Sequence, residues 1–158
     1  MWKQLPIFVL LVLTLAACGG QQARNTVIEA SPVTVAPILA SPEDTVNKAI
    51  ETMAIKDEAG LMDMFDSSVA MYAAPFAHGA IDRWSSLQDK VEPLSTIALG
   101  PIQSRQMQAP ETTGQTTRVV VIVTHESGKA EWEFSLRERN QTWKLLNVND
   151  TKTERKKS

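Results

Sequence analysis

The chain has 158 residues, a net charge of -2 and one cysteine, with 43% of its residues hydrophobic. A charge so near zero excludes a surface built to grip nucleic acid or a strongly charged substrate, and one cysteine excludes an internal disulfide framework. The length suits one domain with tails, and a domain of roughly 110 residues buries about 60% or more of its unfolded surface, enough to stand without disulfides or metals.

Trp2 and Lys3 give a short basic start, and Leu5 to Ala17 form an apolar run of about thirteen residues, the length of a signal-peptide core. A spanning helix needs about twenty. Leu15-Ala16-Ala17-Cys18 resembles the lipobox of bacterial lipoproteins. That resemblance implies a diacylglyceryl group on the Cys18 sulfur, cleavage just before Cys18, and acylation, with palmitate for instance, of the freed amine. Several chains are needed, because one acyl chain holds a protein only marginally and each buried methylene adds about 0.8 kcal/mol. Lipidation also accounts for the lone thiol. The resemblance further implies an extracytoplasmic location in the cell envelope. Gly19 in place of Asp after the cysteine directs the chain to the outer membrane in a host with two membranes, and otherwise to the outer face of the cell membrane.

Residues 1–17 are thus expected to be a signal peptide and residues 18–40 a lipidated flexible tether. Gly19-Gly20-Gln21-Gln22, Pro32 and Pro37 carry little periodicity, and about twenty flexible residues reach roughly 25 Å. Val33, Val35, Ile38 and Leu39 could dock part of the tether as an edge strand. The globular domain is expected over residues 41–150, where ten Lys and Arg face sixteen Asp and Glu for a charge of -6. Lys152, Arg155, Lys156 and Lys157 against Glu154 leave a +3 end, expected as a disordered basic tail over 151–158. Beside an anionic membrane, each such basic group would contribute about 1 kcal/mol.

Ser41-Pro42-Glu43-Asp44 places a capping hydroxyl, a first-turn proline and two acids at a helix start. Val46, Ala49, Ile50, Met53 and Ala54 then make one apolar face. Leu61, Met62, Met64 and Phe65 suggest a short second helix ending at Asp66-Ser67-Ser68. Val69 to Ala73 read as a short strand, and Pro75 and Gly79 as marks of a connection that carries His78. Ile81, Trp84, Leu87 and Val91 space a third helix, stopped by Pro93. From Ser95 the period becomes two: Thr96 to Leu99 and Ile102 to Met107 form one strand broken at Gly100-Pro101. Thr116 to Thr124 is a strand apolar on both faces. After a turn at Glu126-Ser127-Gly128-Lys129, Trp132, Phe134 and Leu136 alternate with polar residues. Arg139-Asn140-Gln141 turns the chain into a last strand from Thr142 to Val148.

Helices followed by strands joined through tight turns give an α+β class, with N-terminal helices packed on a curved antiparallel sheet. Ser41-Pro42-Glu43-Asp44-Thr45-Val46 as first helix and Gln141-Thr142-Trp143-Lys144-Leu145-Leu146-Asn147-Val148 as last strand resemble the nuclear transport factor two superfamily, also called cystatin-like or ketosteroid-isomerase-like, and within it the secreted and lipoprotein members without an assigned activity. The likeness covers residues 41–150. It implies a cone-shaped sheet whose open end can hold a small molecule, and many such cones have lost any reaction.

Catalytic relatives pair a pocket carboxylate with a tyrosine; here the one tyrosine is Tyr72, with Asp63, Asp66 and Asp82 as the acids to test against it. Only two histidines are present, His78 and His125, both expected at the surface, and no metal-ligand spacing occurs. No nucleophile elbow, phosphate loop or dinucleotide fingerprint appears, so no cofactor is expected. Asn140-Gln141-Thr142 and Asn149-Asp150-Thr151 match a glycosylation pattern that a bacterial lipoprotein has no reason to use. Tyr72, Trp84, Trp132 and Phe134 are the candidate pocket-lining residues, with a packed core as the competing role for the rings. The leading expectation is a noncatalytic, membrane-anchored domain that binds a partner protein or envelope component. The alternatives are a carrier or sensor of a small apolar ligand in the cone and, more remotely, an isomerase or dehydratase.

Overall fold

The computed structural model describes residues 40–89 and 97–156. The signal peptide and most of the tether, with its edge-strand segment, lie outside them, as do Val91, Pro93 and Thr96. Helix α1 spans Pro42–Ala54, and its start is fixed reciprocally: the Ser41 hydroxyl accepts from the Asp44 amide at 3.1 Å, while Asp44 accepts from the Ser41 amide at 3.0 Å. The short α2, Glu58–Asp63, is capped by Asp57. A 3-10 turn over Ser67–Val69 leads into α3, Ala70–Gln88.

The beginning of α3 overturns two expectations. Val69 to Ala73 is not a strand, and Pro75, His78 and Gly79 sit inside the helix. Val69 offers no side-chain cap; the cap lies one turn earlier, where Asp66 Oδ1 accepts from the Ser68 amide at 2.8 Å. The 3-10 turn so nucleated runs straight into α3. Its buried stripe is continuous from Ala73 through Ala77, Ala80, Ile81 and Trp84 to Leu87, but alanines contribute little apolar area, so periodicity announces only the second half.

The strands are β1 Ile102–Met107, β2 Glu111–Thr113, β3 Thr116–His125, β4 Gly128–Arg139 and β5 Thr142–Arg155. In the sheet they run β1-β3-β4-β5, with the short β2 also pairing β3, and these strand pairs are antiparallel. Among the described residues before Gly100-Pro101, Ile97 to Leu99 are not strand; Leu99 instead donates its amide to Leu87 O at 2.8 Å and is fully buried against the helical layer. The β4–β5 register slips between Glu131 and Trp132 and between Ser135 and Leu136, leaving Thr151 and Leu146 as extra residues on β5. Such bulges bend a strand, and they curve β5 over the helices. Asn140 and Gln141 make the tight β4–β5 turn, both at positive φ (49° and 62°), as a primed two-residue hairpin requires.

The expected disordered tail is also corrected. Residues 151–155 continue β5, Arg155 donates to Ala98 O at 2.7 Å, and Lys156 Nζ donates to Glu126 O at 2.9 Å. Arg155 and Lys156 thus satisfy loop carbonyls, while Lys152 lies 2.6 Å from Glu154. The core lies between α1, α3 and the concave side of β3 to β5, with Ile50, Met53, Val119, Trp132, Phe134 and Leu145 at 1% exposure or less. Among the described residues, no helix is long and apolar enough to cross a membrane.

Candidate functional site

Inward positions recur at every second residue of β3 and β4, and the register places Phe134 between Val119 and Val148, and Trp132 between Val121 and Asp150. Trp84, brought down by α3, meets Trp132 edge-on with ring centroids 5.2 Å apart. Trp84 is 3% exposed, and Trp132 and Phe134 are fully enclosed. Three of the rings expected to line a pocket, Trp84, Trp132 and Phe134, therefore pack in the core, and among the described residues none of the four main concavities is lined by them. Aromatic side chains of this size supply the bulk of the apolar area that a modest core buries.

Tyr72 is placed elsewhere. It lies on the first half of α3, 52% exposed, and stacks on Phe76 at 6.0 Å, while Phe76 in turn meets Phe65 at 5.9 Å. The acids weighed as its catalytic partners are committed to other groups or to solvent: Asp82 lies 3.2 Å from His78, Asp66 caps the 3-10 turn, and Asp63 is exposed at the end of α2. Among the described residues, no tyrosine-carboxylate pocket forms around Tyr72. What forms is a surface strip. Met71, Tyr72, Pro75 and Phe76 fall at helical neighbour spacing, with Met71 78% exposed. His78 closes the strip beside Glu58 and Asp82, at 3.5 and 3.2 Å.

His125, expected at the surface, is also corrected. It ends the inward row of β3 and is buried at 1% exposure, with Nδ1 2.8 Å from Gly100 O. The alternation Val119, Val121, Val123, His125 carried that signal, which its neighbour Glu126 in the turn obscured.

The end of the sheet near the β4–β5 turn holds the polar clefts. An open cleft of about 510 Å³ runs between α1, α2 and β5, with Trp143 and Met64 as apolar walls and Asp44, Lys48, Asp57 and Lys144 among its charges. A second concavity, of about 450 Å³, is lined by Thr112, Gln115, Thr117, Arg137, Arg139 and Trp143, with Glu138 beside them. Asp66 connects this end to the helices: its side chain is enclosed, Arg139 Nε lies 3.2 Å from Oδ2, and Arg139 Nη1 donates to Ser67 Oγ at 3.1 Å. Hydrogen bonds from Ser68, ahead of the charges of Arg139 and Arg137, hold the Asp66 carboxyl below the usual carboxylate range against the opposing effect of burial. Sequence reading missed this group; the arginines at alternate positions 137 and 139 were its only signal. Among the described residues, no cluster of His, Cys, Asp and Glu could hold a metal ion.

No protein-family profile matches the chain, and no curated protein matches it. Solved structures do. A Campylobacter jejuni protein described as a candidate NTF2-like transpeptidase is similar at a TM-score of 0.50 and 12% identity, over 66% of this chain and 97% of that one. A chain named Rd1NTF2_05, bearing five substitutions, aligns at a TM-score of 0.45 and 17% identity, over 68% of this chain and 94% of that one. With helices laid on one face of a curved, antiparallel, five-stranded sheet, the domain has the NTF2-like α+β fold.

Proposed function

We propose that this chain is a noncatalytic lipoprotein domain, held on the extracytoplasmic side of a membrane through acyl chains on Cys18, which binds a partner protein or envelope component through the Met71, Tyr72 and Phe76 face of α3. The observation that carries this reading is the contrast between a core filled by Trp84, Trp132 and Phe134 and the exposed Met71 and Tyr72 on the helical layer, backed by half-buried Phe76. Contiguous exposed apolar side chains rimmed by charge mark interaction surfaces, and tyrosine and methionine are enriched there. The transpeptidase description belongs to the structural neighbour, whose 12% identity to this chain carries the fold alone.

Two experiments test the proposal. Intact mass of the membrane form should show acyl groups on Cys18, and Cys18→Ala should release or misprocess the chain; an unmodified mature terminus would overturn the anchor. A photoreactive residue at Tyr72, in cells, should give a discrete adduct that is absent when the same residue replaces Glu111 on the far edge of the sheet. Equal labelling from both positions would remove the α3 face as the binding surface.

A further inference from the structure

The open cleft of about 510 Å³ between α1, α2 and β5 carries charges of both signs, two lysines against three aspartates. Most of its polar groups are already committed. Asp44 accepts from the Ser41 amide and Asp57 from the Gly60 amide, each capping a helix. The Thr45 and Thr52 hydroxyls turn back onto Ser41 O and Lys48 O, and Lys144 Nζ donates to Asp63 O at 3.0 Å. Three groups of the lining remain: the Lys48 ammonium, the Asp63 carboxylate and the Thr142 hydroxyl have no hydrogen-bond or ion-pair partner among the described residues. All three belong to exposed residues, so an incoming molecule reaches them without any opening of the fold. Beside them Trp143, half-buried and packed in part against the core, gives the cleft an aromatic wall, and Met64 adds a second apolar one.

This combination selects a ligand chemistry. An oxyanion entering the cleft meets three carboxylates and a cation meets two ammoniums, so like charges oppose either. A wholly apolar molecule would strip water from charged groups and return no hydrogen bonds. The lining is satisfied by an uncharged molecule that offers hydroxyls as donors and acceptors and one apolar face. A volume of this size also lies within the range of small-molecule sites. We infer that the cleft binds a saccharide, whose ring C–H face lies against the Trp143 indole and whose hydroxyls donate to Asp63, accept from Lys48 and bond Thr142. The face of an indole carries the negative side of its quadrupole, which favours C–H groups placed over it. The cleft shares no residue with the Met71, Tyr72 and Phe76 face, and the two assignments stand independently.

The test is a titration of the ¹⁵N-labelled full chain in a polyoxyethylene detergent, which has no sugar headgroup, following the Trp143 indole N–H and Gly60 amide signals. The probes are cellobiose and N,N′-diacetylchitobiose. Mannitol, which has hydroxyls without a ring face, and glycine, a zwitterion, are the controls. A saturating shift of both signals is expected with at least one disaccharide and with neither control. Trp143→Leu, which keeps apolar bulk and removes the aromatic face, should bind about tenfold more weakly. If that variant fails to fold, Lys48→Ala with Asp63→Asn, both at exposed positions, should weaken binding about threefold or more through their lost hydrogen bonds. No saturating shift with either disaccharide, an equal response to mannitol or glycine, or unchanged affinity in the folded Lys48→Ala, Asp63→Asn variant would overturn the assignment.

Discussion

The two halves of α3 face opposite fates. From Ala80 to Leu87 the helix drives Ile81, Trp84 and Leu87 into the cone, where Trp84 meets Trp132. From Ala70 to Phe76 it buries Ala73, packs Phe76 partly against the core and leaves Met71 and Tyr72 in solvent. One continuous helix thus serves stability at its C-terminal end and presents apolar surface at its N-terminal end. A side chain large enough to matter energetically is spent on the core in one half and withheld from it in the other, so mutations should separate the two halves cleanly.

The largest effect belongs to the packed half. Trp132→Ala should destabilise by about 3–5 kcal/mol, the usual cost of deleting a fully buried large aromatic. If the cone were a ligand pocket with room to spare, the loss would be far smaller; urea unfolding followed by circular dichroism distinguishes the two. The same measurement on Trp84→Ala and the double variant should reveal a coupling of about 0.5–1.5 kcal/mol for the edge-on pair.

Next comes Gly128, where β4 begins beneath β5. A Cβ there would clash with the backbone oxygen of Glu154 and press well inside van der Waals contact on Leu99 Cδ2, at 3.0 Å. Gly128→Ala should therefore cost about 1–3 kcal/mol as an overpacking change, despite adding a single methyl group.

Asp66 joins the start of α3 to the β4–β5 hairpin. Its carboxyl is lowered in the folded state, so its contribution is fully present above the unfolded value and is lost as pH falls through the folded one. Stability should thus decline below about pH 4, near the ordinary aspartate value. Asp66→Ala should lower stability at neutral pH by about 1–2 kcal/mol, in the range of a lost cap, and flatten this acid dependence. Urea midpoints measured from neutral to acid pH give both quantities; an unchanged pH slope would mean that Asp66 is not the group responsible.

The smallest change in stability is expected in the exposed half. Met71→Ser and Tyr72→Ser should each stay within about 0.5 kcal/mol of the parent protein, as surface substitutions do, while Met71→Ser should weaken the adduct formed by the photoreactive residue at position 72. A large loss of stability would instead place Tyr72 in the structural account with Trp84.

What could be read from the chain follows the strength of the local signal. The first helix was legible because Ser41, Pro42 and Asp44 carry its start and Val46, Ala49, Ile50 and Met53 its face. Strand β3 was legible from its continuous apolar run, Val119 to Val123, and β4 because Trp132, Phe134 and Leu136 alternate with polar residues. The first half of α3 was not, since Ala73 and Ala77 mark a buried stripe weakly, Pro75 argues for a break, and the cap that overrides it belongs to Asp66. The continuation of β5 past Val148 is set by pairing with β4 and by carbonyls that accept from Arg155 and Lys156; an isolated Thr-Lys-Thr-Glu-Arg stretch contains none of that. The Asp66, Arg137 and Arg139 cluster required the hairpin and the 3-10 turn to meet, a contact spanning some seventy residues of chain. Which rings would fill the cone and which would stay outside also depended on tertiary placement: Tyr72 and Trp84 are both aromatic residues on one helix.

The filled cone is best tested by native mass spectrometry of the mature chain purified from its own host, compared with the same sample after denaturation. A mass equal to the polypeptide with its acyl chains, unchanged when the fold is lost, is the result expected of a cone closed by Trp84, Trp132 and Phe134. An apolar molecule that leaves only on denaturation, and is retained less well when Trp132 is replaced by a smaller residue, would contradict it and make the cone a working pocket.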